Sequence, residues 1–138
     1  MRTATECCNY CESVGNIPKT KKRKQAEKDF SIIEGMLADG EEILLAFNAF
    51  LNWRSMTKND GLFSVAVTGK RVILAQRIAF SNEVKQIKID KITDSSFASN
   101  SPYTNFSTIT LETISGEYKL SMDIKSAQPI YNELQSVI

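Results

Sequence analysis

The stretch Gly61-Leu62-Phe63-Ser64-Val65-Ala66-Val67-Thr68, followed by Gly69-Lys70 and then Arg71-Val72-Ile73-Leu74-Ala75-Gln76-Arg77, decides the fold class. Its first half alternates. Phe63, Val65 and Val67 fall on one side and Ser64, Ala66 and Thr68 on the other, which is the period of a strand. Thr68-Gly69-Lys70 reads as a hairpin turn in which glycine supplies the positive φ of a tight connection. Arg71–Arg77 returns as the next strand.

The same period extends in both directions. Upstream, Ile43–Asn52 is a long apolar stretch suited to a buried strand. Downstream, Val84–Ile89 and Ile92–Phe97 read as short strands around an Asp90-Lys91 turn, and Ser99–Asn105, polar and containing Pro102, reads as a loop. Ser107–Thr113 alternates with Ile109 and Leu111 inward. Ser115-Gly116 turns the chain, and Tyr118, Leu120 and Met122 line the last strand. Seven strands at this spacing predict a small antiparallel barrel or sandwich. Ala127, Ile130, Tyr131, Leu134 and Ile138 then form one helical stripe, with Ser126 placed to cap it and Pro129 in the first turn. Such a helix closes the open end of a barrel and buries both apolar faces together. Before the first strand, Ala26, Phe30, Ile33 and Leu37, widened by Ile32 and Met36, predict an N-terminal helix over 21–39 that Gly40 stops.

A chain of 138 residues, 42% hydrophobic and 24% charged, supports one domain with its own core. Its 17 basic and 16 acidic residues give a net charge of +1, so any attraction to polyanions must be local. The first 28 residues hold seven of the cations against three acids. Residues 1–20 carry few large apolar side chains and no sustained periodicity, and read as a flexible arm. The organisation expected is therefore an arm over 1–20, a helix with a basic start over 21–39, and the β domain over 40–138. Neither a membrane-spanning run nor a signal-peptide core is present, which points to a cytoplasmic protein.

The sequence contains no histidine, which removes Ser-His-Asp and Cys-His nucleophiles and HExxH metal sites. It also lacks a GxSxG elbow and any Gly-rich phosphate loop. The pairs Glu41/Glu42 and Asp90/Asp94 lie at turns, where solvated charge accounts for them. A non-enzyme without a small-molecule substrate is the expectation.

Three features remain as sites. Cys7, Cys8 and Cys11 include a CxxC pair, half of a zinc site, with Cys7 as a third thiolate and no second CxxC to complete the four ligands. The alternatives are inert thiols in the arm, zinc held within or between chains, and a redox or acylated site. Lys19, Lys21, Lys22, Arg23 and Lys24 place five cations in six residues. That segment suits a solvated start of the helix, or peripheral electrostatic contact with anionic lipid, nucleic acid or an acidic protein; without interleaved aromatics, base stacking has little to use. Finally Phe50, Trp53 and Arg54 end the first strand, and the only tryptophan beside an arginine suits either an interface anchor or packing on its own barrel rim.

Val67-Thr68-Gly69-Lys70-Arg71-Val72-Ile73 is similar to the "LTNKRLI" hairpin of bacterial pleckstrin-homology (PH) domains of the YokE-like and short bacterial PH classes, and Ile87-Lys88-Ile89-Asp90-Lys91-Ile92 resembles their "IPLDKI" stretch. Gly40-Glu41-Glu42-Ile43-Leu44, the Ile109–Leu120 hairpin and the terminal helix follow in the same order. The resemblance spans about Phe30 to Ile138. It departs where Gly69 replaces asparagine, where Lys88 replaces proline, and over 99–105. It implies a PH-like seven-stranded antiparallel barrel, two nearly orthogonal sheets capped by a C-terminal helix, and no particular activity. Lipid-binding relatives carry basic residues at the end of the first strand and within the second. Here the connection offers Arg54 and Lys58 offset by Asp60, and Gly61–Thr68 has none, so headgroup recognition by the fold is not expected. The leading expectation is a binding or assembly module acting through protein contact, including self-association. The runner-up is a peripheral binder of anionic lipid or nucleic acid through Lys19–Lys24, and the third a virus-encoded inhibitor of a host protein.

Overall fold

The computed structural model describes residues 1–99 and 105–138. Most of the loop expected over 99–105 lies outside the described residues. The elements are α1 (Ala4–Ser13), α2 (Arg23–Glu34), β1 (Ile43–Leu51), β2 (Leu62–Thr68), β3 (Arg71–Ile78), β4 (Ser81–Lys88), a 3-10 turn (Ile89–Lys91), β5 (Ile92–Ser99), β6 (Phe106–Thr113), β7 (Gly116–Asp123) and α3 (Ile124–Val137). No helix among the described residues is long and apolar enough to cross a membrane.

The seven strands form one antiparallel sheet in the order β4-β3-β2-β1-β7-β6-β5. It curls over a core made by Phe47 and Leu51 of β1, Phe63 and Val65 of β2, Leu74 of β3, Ile109 and Leu111 of β6 and Leu120 of β7. Ala127, Ile130 and Leu134 of α3 fill the same core, so the C-terminal helix plugs the curled sheet. Mainly β, seven antiparallel strands with a closing C-terminal helix and a helix before the first strand: this is the PH-like barrel architecture.

Strand β1 joins β7 through only two residue pairs, Phe50 with Ser121 and Leu51 with Leu120. The rest of that edge of β1 is covered by the N-terminal segment. Ile43 exchanges both backbone bonds with Met1 (2.7 and 2.9 Å), Cys11 Sγ–H donates to Ala46 O (3.6 Å), and the Asn16 side chain pairs with the Asn48 backbone. A strand edge left open would template foreign pairing; here the chain's own first residues close it.

That finding corrects the flexible arm. Residues 4–13 are a helix, started by a capping box in which Thr3 and Glu6 satisfy each other's backbone N–H and ended by Gly15 at φ +70°. Ala4, Cys7, Cys8 and Cys11 share one face and are buried with Ala26, Phe30 and Ile33 of α2 against Ala46, Ala66, Ile73 and Ala75. The outer face of β1–β3 is thus a second core. Its small residues let two helices lie close to the sheet, and three cysteines act as compact apolar side chains.

Smaller corrections follow. Helix α2 ends at Glu34 with Gly35 as its C-cap, and Gly40 (φ +76°) serves the loop that follows. Gly69 does not adopt a positive φ. The β2–β3 turn is instead organised by Thr68 Oγ1, which accepts from the N–H groups of Lys70 (3.1 Å) and Arg71 (3.2 Å). Helix α3 begins at Ile124, capped by Asp123, whose carboxylate accepts from Lys125 N–H at 2.8 Å. Ser126 is buried inside the first turn, where its hydroxyl donates to Asp123 O, and Pro129 lies one turn deeper than expected.

Candidate functional site

Phe50 closes β1, and the chain then turns at Asn52, whose φ of 53° asparagine tolerates better than most residues. The β1–β2 connection carries its own scaffold. Arg54 N–H donates to Lys58 O (2.9 Å), Asn59 Nδ2 donates to Ser55 O (2.9 Å), and Gly61 N–H donates to Asn59 Oδ1 (2.9 Å). Held this way, Trp53 folds back onto the sheet. Its ring centroid lies 4.8 Å from Phe50 and 4.8 Å, edge-on, from Phe106 of β6, with Phe50 and Phe106 5.7 Å apart. All three rings are half-buried. Trp53 thus packs on its own rim, and part of its ring remains exposed. Arg54 is exposed.

The aromatic ridge separates two concavities. One, about 710 Å³, is an open polar dish between the β1–β2 connection and the start of β7. Arg54, Lys58 and Lys119 line it beside Asp60 and Glu117; Asn52 Nδ2 donates to Asp60 (2.7 Å) and Lys119 stands 3.9 Å from Glu117. The charges largely compensate one another. The second, about 420 Å³, is a mainly apolar groove walled by Phe50, Phe106, Leu62 and Met56 and closed on the far side by Ile17 and Pro18. Its floor is a buried polar network absent from any sequence expectation. Asn16 Nδ2 donates to Asn48 O (3.2 Å) and Ser126 Oγ (3.2 Å), Asn48 Nδ2 returns to Asn16 O (3.1 Å), and Ser64 Oγ donates to Asn48 Oδ1 (2.7 Å). The network ties α1's end, β1, β2 and α3 together, and every bond is internal.

The other expected sites are drawn into the fold. Lys21 is 4% exposed; its ammonium stands 2.5 Å from Asp29, itself 2% exposed, and donates to Leu62 O at 2.9 Å. Burial pushes its pKa down while Asp29 opposes the shift. Arg23 pairs with Glu12 and Glu27, both at 2.9 Å, and donates to Asn9 Oδ1 at 2.8 Å. Two of the five cations in the basic segment are therefore structural ties, leaving Lys19, Lys22 and Lys24 exposed. The three thiols are fully buried, and burial raises Cys7 to about 12, Cys8 to about 11 and Cys11 furthest of all. A zinc site needs thiolates, and this environment holds the protonated form. No group of three or more histidine, cysteine or acidic side chains arranged to hold a metal occurs among the described residues.

One strongly shifted carboxylate lies elsewhere. Glu41 accepts two bonds from Arg71 (2.9 and 3.0 Å), one from Thr68 Oγ1 (2.8 Å) and one from Ala38 N–H (3.0 Å). The Arg71 guanidinium brings it to about 2. It clamps the α2–β1 connection to the β2–β3 hairpin, and neither concavity contains it.

The fold is a mainly β, PH-like barrel, and its most differentiated surface is an aromatic ridge between a polar dish and an apolar groove. The chain matches no protein-family model and no curated protein.

Proposed function

We propose that this chain is a non-enzymatic binding and assembly module, of the bacterial PH class, that acts through protein–protein contact at the ridge formed by Phe50, Trp53 and Phe106. One observation carries the reading: three half-buried rings, from the end of β1, the braced β1–β2 connection and the start of β6, stand together between two concavities. Aromatic anchors on a pre-organised surface lose little freedom on binding, which suits an interface better than acid–base chemistry. The strand order and the positions of the Thr68–Arg71 hairpin and the Ile87–Ile92 stretch support the class assignment.

Trp53 is the sole tryptophan, so its fluorescence reports on the site directly. Association at the ridge shifts its emission to the blue as concentration or a captured partner is raised, and Trp53→Ala weakens that association by roughly tenfold or more. Emission unchanged between free and associated protein places the contact elsewhere and defeats this reading.

A further inference from the structure

Three free thiols share the buried face of α1 with Ala4, while Thr5, Glu6, Asn9, Glu12 and Ser13 are exposed. The core inside the curl draws its fully buried side chains from the strands and α3, and none from α1. Lifting α1 away therefore leaves that core filled. It uncovers the edge of β1, where Ile43 loses its exchange with Met1 and Ala46 O loses Cys11 Sγ–H. It also frees Arg23 from Glu12 and Asn9.

The helix also fixes how the cysteines stand to one another. Cys7 and Cys8 are adjacent and do not face each other. Cys8 and Cys11 are three apart, and Cys7 and Cys11 four apart, a spacing that keeps Cβ atoms about 5–6 Å apart on an α-helix. A disulfide needs about 3.5–4.5 Å. An intact α1 and a disulfide among its cysteines thus exclude each other. We propose that α1 is a redox-sensitive latch: a disulfide between Cys8 and Cys11 unwinds the helix, lifts it from the sheet and uncovers the edge of β1. This inference does not rest on the ridge reading. The oxidant is a low-molecular-weight disulfide. When α1 opens locally, the thiolate of one cysteine attacks a sulfur of the reagent and expels a first small thiolate; the second cysteine thiolate attacks the mixed disulfide and expels another. Two electrons pass from the cysteines to the reagent, and the two protons that the cysteines lose end on the released thiols. Closed, α1 keeps both thiols protonated and out of reach, because burial raises their pKa. Once uncovered, the N–H and C=O groups of the β1 edge are open to an extended strand of another chain.

The test incubates the full chain with excess oxidised glutathione and follows it by peptide mass spectrometry and amide exchange. Cys8 should become joined to Cys11, slowly, and dithiothreitol should reverse the change. In the oxidised chain the amides of α1 and of Ile43, which donates to Met1 O, should exchange roughly tenfold faster or more, with β6, β7 and α3 unchanged. Dithiothreitol should restore slow exchange. A chain carrying Cys8→Ala and Cys11→Ala keeps small apolar groups on the face and should show no such acceleration under the same oxidant. The comparison of reduced with oxidised wild-type chain needs no substitution, so the test stands even where the double variant folds poorly. A Cys8–Cys11 disulfide that leaves the exchange of α1 unchanged overturns the proposal. So does the absence of that disulfide under conditions that fully oxidise the chain in urea. Exchange that speeds up throughout, α3 included, makes α1 part of one cooperative fold and overturns the latch, and equal acceleration in the double variant assigns the effect to another site and overturns it too.

Discussion

Gly61 and Gly69 look alike in the sequence, each beside a strand of the same hairpin, yet they differ in what they must do. At Gly61 φ is +117° and an added Cβ would stand 2.2 Å from Gln76 Oε1, an amide already held by Asp60 O and Glu83. At Gly69 φ is ordinary and nothing lies within 4 Å. Gly61→Ala should lower stability by about 1–3 kcal/mol, and Gly69→Ala should be neutral or stabilise by up to ~1 kcal/mol, read from urea midpoints. Glu41 gives a pH signature at the same scale. Its folded pKa is depressed, so its contribution is fully present above the unfolded value of 4.5 and is lost as pH falls toward about 2. The unfolding free energy from urea denaturation should fall over that window by on the order of 2–3 kcal/mol, and Glu41→Gln should flatten the profile. A slope unchanged in Glu41→Gln would assign the acid sensitivity to other carboxylates.

Among the elements, α1 shows how a residue type can be misread when its chemistry draws attention from its size. Ala4, Cys7, Cys8, Cys11 and Val14 have helical spacing, Thr3 and Glu6 have capping-box spacing, and Gly15 is a helix stop, so the helix was legible. Placing the cysteines in a flexible arm concealed a stripe of small apolar groups. Thr3→Ala should cost about 1 kcal/mol through the lost cap. In the native protein a thiol reagent should label Cys7, Cys8 and Cys11 orders of magnitude more slowly than in denaturant, where all three react; rapid native labelling would show that α1 leaves the sheet. The strands were legible for the opposite reason. Their alternation states which side meets the core, and β1, with apolar or small residues at almost every position, advertised a strand covered on both faces. What covered the second face was not stated locally.

For the whole molecule, the sheet order puts β1 at the centre, flanked by β2 and β7, with β4 and β5 at the edges. Two cores share β1–β3, one inside the curl and one under α1 and α2. Amide exchange should therefore be slowest in β1, β2 and β3 and faster along β4 and β5, where one edge of each strand pairs with no other strand of the sheet. Equal protection across all seven strands would mean that the edges are covered in solution, as assembly of strand edges would do.

The order of strands and the closing helix followed from the sequence because periodicity and turn residues act over neighbours along the chain. The basic segment and the candidate site did not. Whether Lys21 faces solvent or Asp29, whether Asn16 completes the edge of β1, and whether Trp53 meets Phe106 depend on residues 8 to 53 positions apart. Such pairings are settled only when the folded sheet brings distant segments into contact, since a side chain's charge, burial and partners belong to its surroundings and not to its letter.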